Sequence, residues 1–178
     1  MLTVEDGTLV GGADSYVSLT FARDYAHKRG IYANLASLTD EQIAIEPVVS
    51  PALDWEQYLR RGFDYINRQV FEGYKVMRPD DPVPTQFPRS ETYLDGCRVP
   101  ADSVPVIVLH AQIEAAVAYE ALKDPEGDYQ EKILIGKTTG PITKQYNPYS
   151  YSNANNWVIK KVDAILFQLL YNKFEVKR

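Results

Sequence analysis

The sequence is poor in the residues that build most small reactive or cross-linked sites. In 178 residues there is one cysteine, and there are two histidines, two methionines and two tryptophans. One cysteine excludes a disulfide-built fold. Cys97, His27 and His110 are the only soft or imidazole ligands, and none stands at the i, i+4 or C-x-x-C spacing of a metal site, so no metal or other cofactor is expected. His110 falls among apolar neighbours and reads as a structural histidine. No apolar run reaches the roughly 18 residues that span a bilayer, so no membrane partner is expected. The opening Met1-Leu2-Thr3-Val4-Glu5-Asp6 lacks the basic and apolar regions of a signal peptide, which suggests synthesis in a reducing cytoplasm.

Catalytic patterns are missing as well. No serine lies in a G-x-S-x-G elbow. Gly136-Lys137-Thr138 looks like the end of a phosphate-binding loop, but that motif's first glycine would fall on Glu131, and Gly140-Pro141 follows where a helix should start. The carboxylate pairs Glu5-Asp6 and Asp80-Asp81 read as solvated loop residues. The expectation is a protein that is not an enzyme.

What remains has the proportions of one ordinary globular domain over residues 1–178: 45% hydrophobic, 24% charged, net charge −5. Tyrosine is abundant, 13 against six phenylalanines, and suits surfaces that are half buried or covered by a partner. The charge is uneven. The first 56 residues hold nine acids and three bases, a balance of −6; the last 22 hold five bases and two acids, a balance of +3. The densest basic spots are Arg60-Arg61, Lys160-Lys161 and the tail, which could meet phosphate, although such pairs more often form a solvated helix face.

Periodicity points to a mainly α chain: a bundle of about four helices with one β-hairpin and a long Pro-rich loop. The first helix runs from an N-cap at Ser18 to Arg29, with Gly30 as its stop and Leu19, Ala22, Tyr25 and Ala26 on its apolar stripe. The second starts after Asp54 and reaches Arg68; its stripe is Trp55, Tyr58, Leu59, Phe63 and Ile66, and Gly62 on it permits a close helix contact. The third has Pro105 in its first turn and runs to Leu122, burying Ile107, Val108, Ala111, Ala115, Ala118 and Tyr119. The fourth, capped by Asn156, runs to Lys173 and leads into a basic tail, residues 157–178 in all. Residues 71–103 form the loop, which holds five of the 11 prolines. Residues 132–146 alternate around Gly140-Pro141 as a hairpin, which is marginal in water without a partner.

The order of several short motifs carries more than any one of them. Gly12-Ala13-Asp14-Ser15-Tyr16-Val17 leads into a helix ending at Arg29-Gly30; Trp55, Arg61, Asp64, Tyr65 and Ile66 follow; then Gly73 and Lys75, Phe87-Pro88-Arg89, Asp95-Gly96, Val99-Pro100 with an Ala-rich helix, and the Gly140-Pro141 turn. Nearly the whole chain in this order resembles a family of small bacteriophage proteins often labelled "DnaT-like single-stranded DNA-binding". In arrangement it is similar to the head–tail connector proteins of tailed phages. Ala33 to Pro51 is an insertion relative to the shortest members, and Phe87 stands where tryptophan is usual.

The connector resemblance implies a structural virion protein: a neck adaptor that joins portal to tail as a homo-oligomeric ring of about 12 copies. Its partners would be the portal protein and tail-completion proteins, with DNA passing through without specific binding, and its location the virion neck. On that reading Ile133, Ile135, Lys137, Ile142, Lys144 and Tyr146 of the hairpin contact neighbouring copies, and Lys173, Phe174, Lys177 and Arg178 contact the portal. The alternative is a replication accessory protein that binds single-stranded DNA, with Arg60 and Arg61 among its contacts.

Overall fold

The computed structural model describes residues 1–44, 51–77, 85–121, 134–137, 144–146 and 159–170. Its helices are α1 (Leu19–Arg29), α2 (Ala33–Ala36), α3 (Asp40–Ala44), α4 (Pro51–Asn67), α5 (Val106–Ala121) and α6 (Lys160–Leu166). Three antiparallel strand pairs accompany them: β1 (Tyr74–Lys75) with β2 (Arg89–Ser90), β3 (Tyr93–Leu94) with β4 (Cys97–Arg98), and β5 (Leu134–Lys137) with β6 (Lys144–Tyr146). The chain is mainly α, as its periodicity implies.

α1 begins and ends where expected. The Ser18 hydroxyl accepts the Phe21 N–H at 3.1 Å, and Gly30 closes the helix at φ 61°, a left-handed turn that costs glycine little. α4 starts earlier than Asp54, at Pro51, whose fixed φ suits a first helical position; Asp54 sits within the first turn. α2 and α3, short helices inside the segment read as an insertion, escape periodicity because four or five residues make barely one turn.

α5 differs most from a one-faced helix. Besides Val108, Ala111, Ala115 and Tyr119 it buries Gln112, Ile113, Glu114 and Ala116. It crosses α4 so closely that a Cβ on Gly62 would lie 2.7 Å from the Gln112 carbonyl oxygen. Two apolar clusters meet along it. One joins Tyr16, Phe63, Ile66, Phe71 and Phe87 to Val162 and Leu166 of α6; the other joins α1 and α2 to Trp55, Leu59 and Ile113.

α6 is shorter than its sequence pattern. After Leu166 the chain turns, and the Leu169 carbonyl accepts the Glu72 N–H at 3.0 Å, which ties this segment to the start of the Pro-rich region. Asn156 and Lys173, the expected ends of this helix, and Leu122 at the end of α5 lie outside the described residues. The Pro-rich stretch is more ordered than a plain loop, since it holds β1–β4. The hairpin strands pair Leu134 with Tyr146 and Lys137 with Lys144, with a register irregularity between Leu134 and Gly136. Ile133, Ile142, the intervening turn and the tail residues Lys173, Phe174, Lys177 and Arg178 fall outside the described residues.

Candidate functional site

The residues that carry the family resemblance hold the fold. Asp14 takes the Arg60 guanidinium at 2.6 Å and the Thr3 N–H at 2.7 Å. The buried Gln112 amide accepts the Tyr16 N–H and donates to Ser15 Oγ and the Leu59 carbonyl, each at 2.8 Å. The Tyr16 hydroxyl donates to Asn67 Oδ1 and accepts the Gln86 N–H. Burial pushes its pKa well above the ordinary tyrosine value, outweighing the Gln86 and Phe87 N–H donors that lower it, so it stays neutral. Phe87 is core, and Arg89 is 7% exposed. Its guanidinium donates to the main-chain carbonyls of Phe71, Glu72 and Gly73 and to Gln86.

Two sequence expectations change here. Glu5 is not a solvated loop acid: it is fully buried and accepts the N–H groups of Gly7, Leu9 and Val10, while Asp6 beside it is exposed and caps Thr8. Arg60 is not a free basic spot. It is occupied by Asp14, Glu56 and the Met1 carbonyl, because the N-terminal segment folds back over α4. Arg61, its neighbour in sequence, lies over the Tyr119 ring at 4.2 Å and shares a shallow cleft with Asp64 and Arg68. Cys97 is exposed on β4. Among the described residues no three His, Cys, Asp or Glu side chains converge as a metal site.

The most perturbed chemistry lies elsewhere, where α1, the start of α2, α5 and α6 meet. Glu114 of α5 is 5% exposed and accepts three donors: the Tyr25 hydroxyl at 2.8 Å, the Tyr32 hydroxyl at 2.5 Å and the Lys161 ammonium at 2.5 Å. Burial pushes its carboxyl up, but these three donors outweigh it and hold the carboxyl below its ordinary value. Burial and the Glu114 carboxylate push Tyr25 up to about 12 and raise Tyr32 as well. Burial works against the Lys161 charge, yet Glu114 and Tyr32 raise its pKa, so it is a cation at any physiological pH. Tyr32 is held at φ 53°, in the left-handed region that a bulky residue rarely adopts.

Outside this buried carboxylate the surface alternates rings and cations. Arg29 lies over the Tyr25 ring at 3.8 Å, and Lys161 over the Tyr32 ring at 5.6 Å. His110 packs on Tyr25 with ring centroids 4.8 Å apart and stacks at 26° with Phe21, which is 39% exposed. Burial and the nearby Arg29 charge lower the His110 pKa, so the ring is neutral at physiological pH. Lys28 and Lys160, the exposed sequence neighbours of Arg29 and Lys161, add positive charge. The Lys160-Lys161 pair was visible in the sequence as a basic spot. Its link to Arg29, more than 100 residues away, was not, because it runs through Tyr25 and Glu114, which only the fold brings together.

A family model described as "Putative DnaT-like ssDNA binding protein" matches residues 1–178. No curated protein and no solved structure matches the chain. The family match corrects the neck-adaptor reading: the matching family is described by single-stranded DNA, and no comparison ties the chain to a virion, a portal or tail assembly. The physical reason is plain in the geometry. Asp14, Ser15, Tyr16 and Arg89, from the ordered motifs that suggested a connector, are hydrogen-bonded scaffold residues, which specify a fold and carry no information about a neck.

Proposed function

The chain belongs to the DnaT-like ssDNA-binding family, and we propose that it binds single-stranded DNA, without catalysis, on the face formed by α1, α5 and α6. The observation that carries the reading is the alternation of rings and cations there: Phe21, His110, Tyr25 with Arg29, and Tyr32 with Lys161. Single strands are held by cations along the backbone and by aromatic rings on which unpaired bases stack. Arg29, Lys28 and Lys160 contact phosphates, and the exposed edge of Phe21 offers a stacking surface. Lys161 is a positioning residue, fixed by Glu114, that sets the local field. The net charge of −5 does not oppose this, because screening confines each charge to about 8–10 Å at physiological salt.

The test is fluorescence anisotropy of a labelled oligothymidine titrated at several salt concentrations. Binding through three or four cations gives a slope of log K against log salt of roughly −2 to −3. The double variant Arg29→Glu, Lys160→Glu should lose most of the affinity and flatten that slope, while Arg61→Glu, in the separate cleft with Asp64, Arg68 and Tyr119, should not. Absence of any anisotropy change for the unaltered protein at about 50 mM salt overturns the reading.

A further inference from the structure

Two adjoining clefts open beside this face. The smaller, of 140 Å3, is lined by Tyr32, Ala33, Asn34, Trp55 and Glu120. It shares Asn34, Trp55 and Glu120 with a larger one of 350 Å3 that continues to Gln42, Asp54 and Tyr58. The larger falls within the range of small-ligand sites, about 300–1,000 Å3. The two are joined to the cationic face through Tyr32, whose ring lines the smaller cleft and whose hydroxyl accepts from Lys161 at 2.9 Å.

The cleft has the reverse chemistry of the face beside it. Trp55 and Tyr58 meet edge to face, centroids 5.7 Å apart, and supply an aromatic wall. Asp54 and Glu120 are carboxylates, which when ionised only accept hydrogen bonds, and Asn34 and Gln42 are amides. Two carboxylates repel phosphate, so the cleft does not extend the backbone track. They attract a group that presents hydrogen-bond donors. Among the bases, guanine presents two adjacent donors, its N1–H and 2-amino group, which one carboxylate takes together. Thymine offers a single imide N–H between two carbonyls that a carboxylate repels. Adenine and cytosine each present an amino group beside a ring acceptor.

We propose that this cleft is a guanine pocket on the single-strand track, with Glu120 as the carboxylate that takes the N1–H and 2-amino edge. The proposal rests on the single-strand reading above. Glu120 is singled out over Asp54 because it lines both clefts and so stands on the side of the cationic face. A strand with its phosphates on Arg29 and Lys160 then turns one base past Tyr32 into the pocket.

The experiment measures Kd for labelled strands of about 15 thymidines, with the central base left as thymine or replaced by guanine, hypoxanthine, adenine or cytosine. The guanine strand should bind about tenfold tighter than the all-thymine strand, the size of one good bidentate base contact. Hypoxanthine, which lacks the 2-amino group, should lose most of that gain. Glu120→Gln, an exposed substitution near the end of α5, should cut the guanine advantage to less than about twofold and leave the all-thymine Kd unchanged. Equal binding of all five strands overturns the pocket and leaves the single-strand reading standing. A guanine preference that survives Glu120→Gln overturns the role given to Glu120. If none of the strands binds, both proposals fall.

Discussion

The region around Arg89 and the face around Glu114 each bury one charged side chain, and they satisfy it differently. Arg89 spends its donors on three consecutive main-chain carbonyls and on Gln86, so the charge is dispersed over peptide dipoles and locked to the backbone. Glu114 accepts from three side chains on three other elements, and one of them, Lys161, is 61% exposed on the side away from its partner. The first arrangement fixes a chain path that contains a cis Phe87–Pro88 bond and two very short sheets. The second holds an exposed cation beside a half-buried ring, Tyr32, and a buried one, Tyr25. Buried charge serves as scaffold in one place and as support for the proposed binding surface in the other.

Breaking the scaffold should have the largest effect. Arg89→Ala leaves several buried carbonyls without donors, and a loss of roughly 3–5 kcal/mol in urea-unfolding stability is expected. Arg89→Lys should recover little of it, because one ammonium cannot reach the same set of acceptors. If Arg89→Ala unfolds at the same urea concentration as the parent, the role assigned to this guanidinium is wrong. Gly62→Val should follow at about 1–3 kcal/mol, since its side chain meets the α5 backbone at a distance no Cβ tolerates.

At the other region Glu114→Gln removes the charge and keeps the shape, and a loss of about 1–3 kcal/mol is expected. Its distinctive signature is the pH profile. The Glu114 carboxyl is lowered in the folded state, so its contribution is present above the ordinary glutamate pKa of 4.5 and is lost as pH falls below it. His110 is lowered too, so acid also charges a ring that the fold keeps neutral, beginning below 6.5. Lys161 is raised, and its contribution is lost only as pH climbs above 10.5. Stability should therefore be flat near neutrality and fall on the acid side, and Glu114→Gln should remove the steep part below pH 4.5. An unchanged acid limb in that variant would show that Glu114 is not the group responsible.

The smallest stability effect should come from Arg29→Ala, within about 0.5 kcal/mol by thermal melting. Its affinity for oligothymidine should drop roughly three- to tenfold. That separation of stability from binding is the sharpest form of the contrast with Arg89, and equal losses in both measurements would erase it.

Much of the scaffold was legible in the sequence. Ser18 and Gly30 bound α1, the stripe from Trp55 to Ile66 marks α4, and the small Gly62 does mark a close helix crossing, because these are local signals. The buried state of Glu5 and the ion pairs of Arg60 were not legible because their partners come from chain reversals that periodicity does not encode. The candidate face was legible only in pieces. Lys160-Lys161 stood out as a basic pair, Tyr25 as a stripe residue and Glu114 as part of the Ala-rich helix, but their meeting with Tyr32 and His110 depends on α5 being enclosed by its neighbours.

That enclosure sets a hierarchy of opening rates. Amide protons in the middle of α5 exchange with solvent only when the whole domain opens, since both apolar clusters must part to expose them. The described α6 has seven helical residues, held by Val162, Leu166, the Lys161–Glu114 pair, the Tyr65 hydroxyl and the Glu72–Leu169 bond, fewer ties than α5 has, so it can lift away at lower free energy. Hydrogen exchange should find α6 among the fastest described helices and α5 the slowest. The fraction of time α6 spends docked then caps how much of the population presents Lys160 and Arg29 together, so on the proposed reading this short helix meters affinity.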